Sequence, residues 1–138
     1  MFSDYEIDLI YGVVHALYQQ GKIESAFLIL QVLLIYRPVD KKIVEAFSIC
    51  CKKLGKYEDA SLGFIVLLAQ YPEDLKFAQH LAECMAARGL DKQALEAVEA
   101  IISAISKAPD EYNLIFSRAK FLRSMLVNKQ DELSKNLQ

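Results

Sequence analysis

The sequence predicts an all-α fold, a right-handed α-solenoid of three helix–turn–helix repeats closed by a further helix, with about seven helices in all. One six-residue phrase occurs three times, as Gly21-Lys22-Ile23-Glu24-Ser25-Ala26, Gly55-Lys56-Tyr57-Glu58-Asp59-Ala60 and Gly89-Leu90-Asp91-Lys92-Gln93-Ala94. Its glycines and its alanines each step by 34 residues without slippage, and a period of that length marks stacked helical hairpins. Between the phrases, apolar residues recur at helical spacing. Glycine and proline are sparse, 5 and 3 in 138 residues, and serve as isolated punctuation.

The first helix is expected over about Asp4 to Gln20, with Asp4 as N-cap and Gly21 as its stop. Ile7, Ile10, Val14, Leu17 and Tyr18 follow its 3.6-residue period. The second, about Ile23 to Tyr36, carries Ala26, Phe27, Leu30, Leu33 and Leu34. It must end near Arg37, because Pro38 pushes the residue before it out of helical space. In the next repeat Asp40 caps a helix reaching Leu54, Gly55 ends it, and a partner helix runs from about Tyr57 to Gln70 before Pro72. A third pair follows, about Leu75 to Arg88 and Asp91 to Lys107. Its proline, Pro109, stands three residues beyond the register position Ser106, which reads as a helix lengthened by nearly a turn.

A seventh helix, about Asp110 to Asn128, has no partner and is expected to cap the array. Leu114, Phe116, Ala119, Phe121 and Leu122 supply its apolar surface, with Arg118, Lys120 and Arg123 on the wet side. The polar stretch from Lys129 to Gln138 is expected to fray. The reading is therefore one domain over residues 1–128, with repeats at about 7–40, 41–74 and 75–108 and a cap at 110–128.

Composition removes several function classes. A hydrophobic share of 54% with a formal net charge of −2 argues against disorder, and leaves no basic excess to hold phosphates, so nucleic acid is not expected as a partner. The start, Met1-Phe2-Ser3-Asp4-Tyr5-Glu6, lacks the basic region of a secretory signal. The apolar runs fall short of the ~20 residues needed to span a bilayer. Cys50, Cys51 and Cys84 form no framework and read as free thiols in a reducing cytosol. Cys50-Cys51 lacks metal-ligand spacing, and Cys50 and Cys84 fill the same repeat slot as small packing groups. His15 and His80 lie outside any zinc-protease pattern, and no glycine-rich loop cradles phosphate. The chain reads as no enzyme, with no cofactor and no metal.

With these residues placed, the chain resembles the tetratricopeptide repeat (TPR) family. Gly21, Ala26, Leu30 and Pro38 match the family's fifteenth, twentieth, twenty-fourth and thirty-second positions, as do Gly55, Ala60, Phe64 and Pro72, and then Gly89, Ala94 and Val98. The eighth position departs, holding Val14, Ser48 and Ala82, and the fourth lacks its aromatic, holding Ile10, Val44 and Ala78. A compact acidic three-repeat chain with a capping helix also looks like the TPR chaperones of bacterial type III secretion systems. Ala82-Glu83-Cys84 with Gly89 and Ala94 is similar to the last repeat of the translocator chaperones. The size also suits the Y-type export chaperone, and needle-subunit chaperones share the architecture. This resemblance implies a cytoplasmic chaperone that keeps an export substrate or export-apparatus subunit soluble, alone or together with a second small chaperone. A general TPR adaptor and a self-associating homodimer remain the other readings.

The family register places the inner, concave surface on the first helix of each pair. The candidate partner-binding residues are Tyr11, His15, Tyr18 and Gln19 in repeat one, Glu45, Ile49, Lys52 and Lys53 in repeat two, and Lys76, Gln79 and Glu83 in repeat three. Tyr11 and Tyr18, seven apart, share a helical face. They fit aromatic anchors for an apolar partner segment and equally a closure for the open end of the core. Lys52 and Lys53 also read as a solvated face, and His15 as a structurally satisfied histidine. TPR proteins that clamp a heat-shock carboxylate use Lys and Asn where this chain has Tyr11 and His15, so that role is disfavoured.

The small residue in each phrase lets the second helix approach the first. Ala60→Phe should therefore overpack and lower stability by roughly 1–3 kcal/mol in denaturant unfolding. An unchanged unfolding midpoint would refute the register.

Overall fold

The three repeated glycines are the reversal points of the chain. In the computed structural model, which describes residues 1–107 and 111–137, Gly21, Gly55 and Gly89 have φ of +78°, +78° and +81°. This left-handed region is open to glycine at little cost. The following N–H reaches back over the turn each time. Lys22 donates to Leu17 O at 2.9 Å, Lys56 to Cys51 O at 2.8 Å and Leu90 to Met85 O at 2.9 Å. These bonds satisfy carbonyls that a helix end otherwise leaves bare.

Among the described residues there are seven helices: α1 (Asp4–Gln19), α2 (Ile23–Tyr36), α3 (Lys41–Lys53), α4 (Tyr57–Gln70), α5 (Leu75–Ala87), α6 (Asp91–Ile105) and α7 (Asn113–Asn136). They fall into two compact units, Met1–Gln70 and Tyr71–Gln138.

In the first unit α1 packs on α2, α2 on α3 and α3 on α4. Its buried residues include Val14, Ala26, Leu30, Leu33, Ile43, Cys50, Cys51, Ala60, Phe64 and Leu67. Phe27 and Phe47 stack across α2 and α3 with ring centroids 5.5 Å apart. The N-cap of α1 is Ser3 and not the expected Asp4. Ser3 Oγ accepts from the Glu6 N–H and Glu6 accepts in return from the Ser3 N–H, a reciprocal pair that Asp4 cannot make with Glu6 only two residues on. Asp40 caps α3 as expected, accepting from the N–H groups of Lys42 and Ile43.

In the second unit α6 packs on α5, and α7 packs on both. Ala82, Ala94, Val98, Ile101, Ile105, Ala119, Leu122 and Leu126 form its core. Asp74 caps α5. Cys84 is sealed within the unit, as Cys50 and Cys51 are within the first.

Three expectations change here. α6 stops at Ile105 and is not lengthened toward Lys107; Ser106 closes it, its hydroxyl donating to Ser103 O at 2.7 Å. α7 does not end at Asn128. No glycine or proline interrupts it before Asn136, and Lys129 is held to Asp91 at 2.7 Å. Leu114 and Phe121 face solvent, and the packed stripe is Ala119, Leu122 and Leu126. Pro109 and Asp110, assigned above to a terminating proline and a helix start, lie outside the described residues, as do Ala108 and Gln138.

α3 and α4 approach closely at Ser48 and Gly63. A Cβ on Gly63 would lie 1.8 Å from Ser48 Oγ and 3.0 Å from Ser48 Cβ. Ser48 Oγ is itself held, donating to Val44 O at 2.7 Å. Gly63→Ala should destabilise by about 1–3 kcal/mol, although alanine is the better helix former by ~1 kcal/mol. Ser48→Ala in the same chain should recover part of the loss. A Gly63→Ala protein with a higher urea midpoint than the parent would show that the two helices do not touch here.

Candidate functional site

The site is built from two helix faces of the first unit. On α1, Tyr11, Val14, His15 and Tyr18 follow at steps of three, one and three, so one face carries them all. On α3, Lys42, Glu45, Ala46 and Ile49 do the same. Between them lies a cleft of about 270 Å³ lined by these eight residues. Five of the expected partner-binding residues, Tyr11, His15, Tyr18, Glu45 and Ile49, are thus brought together.

Lys42, Val14 and Ala46 complete the lining and were not among the candidates. Val14 was assigned to the core, and it does both jobs, buried on one side and walling the cleft on the other. Ala46 lies one turn beyond Lys42 on the cleft face of α3. Its lone methyl leaves space that a longer side chain would fill. The signal for Val14 was its size at a repeat position where the family places a small residue; for Ala46 the sequence holds no comparable signal.

Polar groups ring the cleft. The Lys42 ammonium sits 5.8 Å from the Tyr11 ring centroid, and that of Lys53 sits 5.6 Å from the Tyr18 ring. Both are cation–π contacts. Gln19 Nε2 lies 3.1 Å from His15 Nε2, so Gln19 is at the mouth through its contact with His15. Lys52 and Glu45 are each engaged within the protein. Burial pushes the Tyr11 phenol above its usual range, and the nearby carboxylates of Glu45 and Asp40 push it the same way. Both effects disfavour the phenolate.

The three candidates of the second unit are differently placed. Lys76 is exposed, its ammonium 5.1 Å from the Phe77 ring. Gln79 is 1% exposed and donates through Nε2 to Glu83 Oε2 at 3.0 Å. Glu83 also accepts a two-point contact from Arg118 of α7, Nε to Oε2 at 3.1 Å and Nη2 to Oε1, with His80 Nδ1 3.9 Å away. Gln79 is therefore internal, whereas Glu83 is half-buried and already engaged by Arg118 and Gln79. Arg118, expected on the wet side of its helix, is the residue that takes up Glu83. A planar guanidinium matched to a carboxylate is a strongly oriented pair.

Among the described residues no three His, Cys, Asp or Glu side chains could hold a metal, and no helix is long and apolar enough to cross a membrane.

With this geometry in place, comparison with solved structures gives a consistent answer. SycD, the type III secretion translocator chaperone of Yersinia enterocolitica, superposes with a TM-score of 0.80 at 21% identity, over 95% of this chain and 90% of SycD. PcrH of Pseudomonas aeruginosa, in complex with the chaperone binding region of PopD, superposes with a TM-score of 0.78 at 21% identity, over 94% of this chain and 96% of PcrH. The chain has the TPR fold of these chaperones. The first TPR domain of Spaghetti, bound to an HSP90 peptide, also superposes, with a TM-score of 0.74 at 12% identity over 94% of this chain and 96% of that one. No protein-family model and no curated protein matches the sequence.

The Tyr11 environment has a consequence for stability at high pH. The folded-state pKa lies above that of the unfolded chain, so the unfolded state loses its proton first. Stability from this group is complete below pH ~10 and falls as pH rises through the folded value. Tyr11→Phe should flatten that alkaline decline, so the gap in melting temperature between variant and parent should shift in the variant's favour above pH ~10. A gap that does not change with pH would show that the phenol is not shielded.

Proposed function

We propose that the chain is a cytoplasmic bacterial chaperone that holds a type III secretion substrate or export-apparatus subunit by a segment laid in the α1–α3 cleft. The observation that carries this reading is the cleft itself. It has an apolar floor and tyrosine walls, and it is set on the fold of the translocator chaperones. Tyr11 and Tyr18 act as anchors, because tyrosine contributes large contact area at low entropic cost. Their half-buried rings keep the phenol edges and the Lys42 and Lys53 heads at the mouth. Ile49 and Ala46 supply the apolar seat, and His15 and Gln19 offer hydrogen bonds. The three repeats act as one TPR domain, and binding is non-catalytic.

A second reading is a general TPR adaptor, since the same backbone in Spaghetti holds an HSP90 peptide and a fold does not fix a function. Tyr11 and His15 stand where a carboxylate clamp needs Lys and Asn, which favours the first reading.

Affinity purification from a bacterium with an active type III system should recover one dominant small partner. The double variant Tyr11→Ala, Tyr18→Ala should lose it, weakening binding by at least ~30-fold, about 2 kcal/mol, while circular dichroism stays that of the parent. Retention of the same partner by the double variant would move the site elsewhere. A soluble chain that recovers no partner would favour neither chaperone nor export.

A further inference from the structure

Among the described residues, the two lysines at the cleft mouth pair with no carboxylate. The ion pairs near this end of the unit are spent on Arg37, which meets Asp4 at 3.0 Å, Asp8 at 3.1 Å and Asp40 at 3.8 Å. Glu45 and Lys52 are engaged within the protein. Among the described residues, Lys42 and Lys53 enter no ion pair, and each instead lies over a tyrosine ring of the cleft wall. Such a contact at an exposed site is weak, and an ammonium has three donors. The head can stay on the ring while a carboxylate approaches its open side. The ring contact also restricts a flexible side chain beforehand, which lowers the entropic cost of pairing.

The spacing then gives a pattern. Lys42 and Lys53 are eleven residues apart on α3, about 16 Å along a helix rising ~1.5 Å per residue. Ala46 and Ile49 lie between them. A strand-like segment covers ~3.3 Å per residue, so about five residues span that distance.

We propose that the segment held in this cleft is acidic at both ends of an apolar anchor. An aliphatic side chain enters between Tyr11 and Tyr18, and aspartate or glutamate residues about five positions apart meet Lys42 and Lys53. This rests on the reading of the cleft as the partner site and adds the chemistry of the partner.

A random nonapeptide library displayed on phage tests it against three proteins: the parent, the double variant Lys42→Gln, Lys53→Gln, and the double variant Tyr11→Ala, Tyr18→Ala. Both lysines are exposed, and melting curves confirm that the first variant is folded. The parent should select an aliphatic residue flanked on both sides by acids. The consensus peptide should bind about five- to tenfold more weakly when its acids become amides, and this difference should shrink at high salt and vanish in the lysine variant. An aliphatic consensus without acids, the same for parent and lysine variant, overturns the inference and leaves the cleft reading standing. A selection unaffected by loss of Tyr11 and Tyr18, or no selection at all, overturns both.

Discussion

Every repeat depends on two helices lying almost in contact directly after the chain reverses. The reversal needs a backbone conformation that only glycine takes cheaply, and the chain supplies it at Gly21, Gly55 and Gly89. The approach needs a side chain no larger than a methyl, supplied at Ala26, Ala60 and Ala94, all at 0% exposure. Neither condition works without the other. A reversal with bulky residues behind it would splay the pair, and small residues without the reversal would have nothing to meet. Once α1 and α2 are pinned in this way, α2 can pack on α3, and the cleft faces of α1 and α3 take up their spacing. The Ser48–Gly63 contact applies the same rule to α3 and α4 about one turn beyond Ala60.

The residues of the cleft present two kinds of surface. Tyrosine gives an apolar ring to the interior and a polar edge to water. Lysine lays its stem along such a ring and keeps its charge in solvent. The result is an apolar seat with the Lys42 and Lys53 heads at its rim, each lying over a tyrosine ring. The candidate residues Gln79 and Glu83 of the second unit behave in the opposite way. Gln79 and Arg118 both donate to Glu83, and that polar cluster ties α7 to α5.

Much of this was legible in the residues, and the failures share a cause. Period and punctuation are local, so seven helices, their turns and the capping role of Asp40 could be read directly. That Tyr11, His15 and Tyr18 share one face of α1 was legible from their spacing. Arg118 and Glu83 are 35 residues apart, and nothing in either stretch announces the pairing. Carrying the repeat register into the third pair assumed an equally open face there, whereas α7 reaches over to Glu83. Ala46 escaped notice because a cavity is made by the absence of atoms. The far end of α7 was misjudged because polarity was taken for fraying, although an uninterrupted polar helix with one good anchor at Asp91 persists.

The sealed cysteines give the molecule a built-in reporter. Cys50 and Cys51 lie in one unit and Cys84 in the other, each at 1% exposure or less. Burial also pushes the Cys50 thiol up, partly offset by Lys53, which keeps it in the unreactive protonated form. An alkylating reagent can reach these sulfurs only while a helix has opened. The pace of modification at each sulfur therefore measures how often its own unit breathes, and a bound segment spanning α1 and α3 would slow the first pair without needing to touch the third.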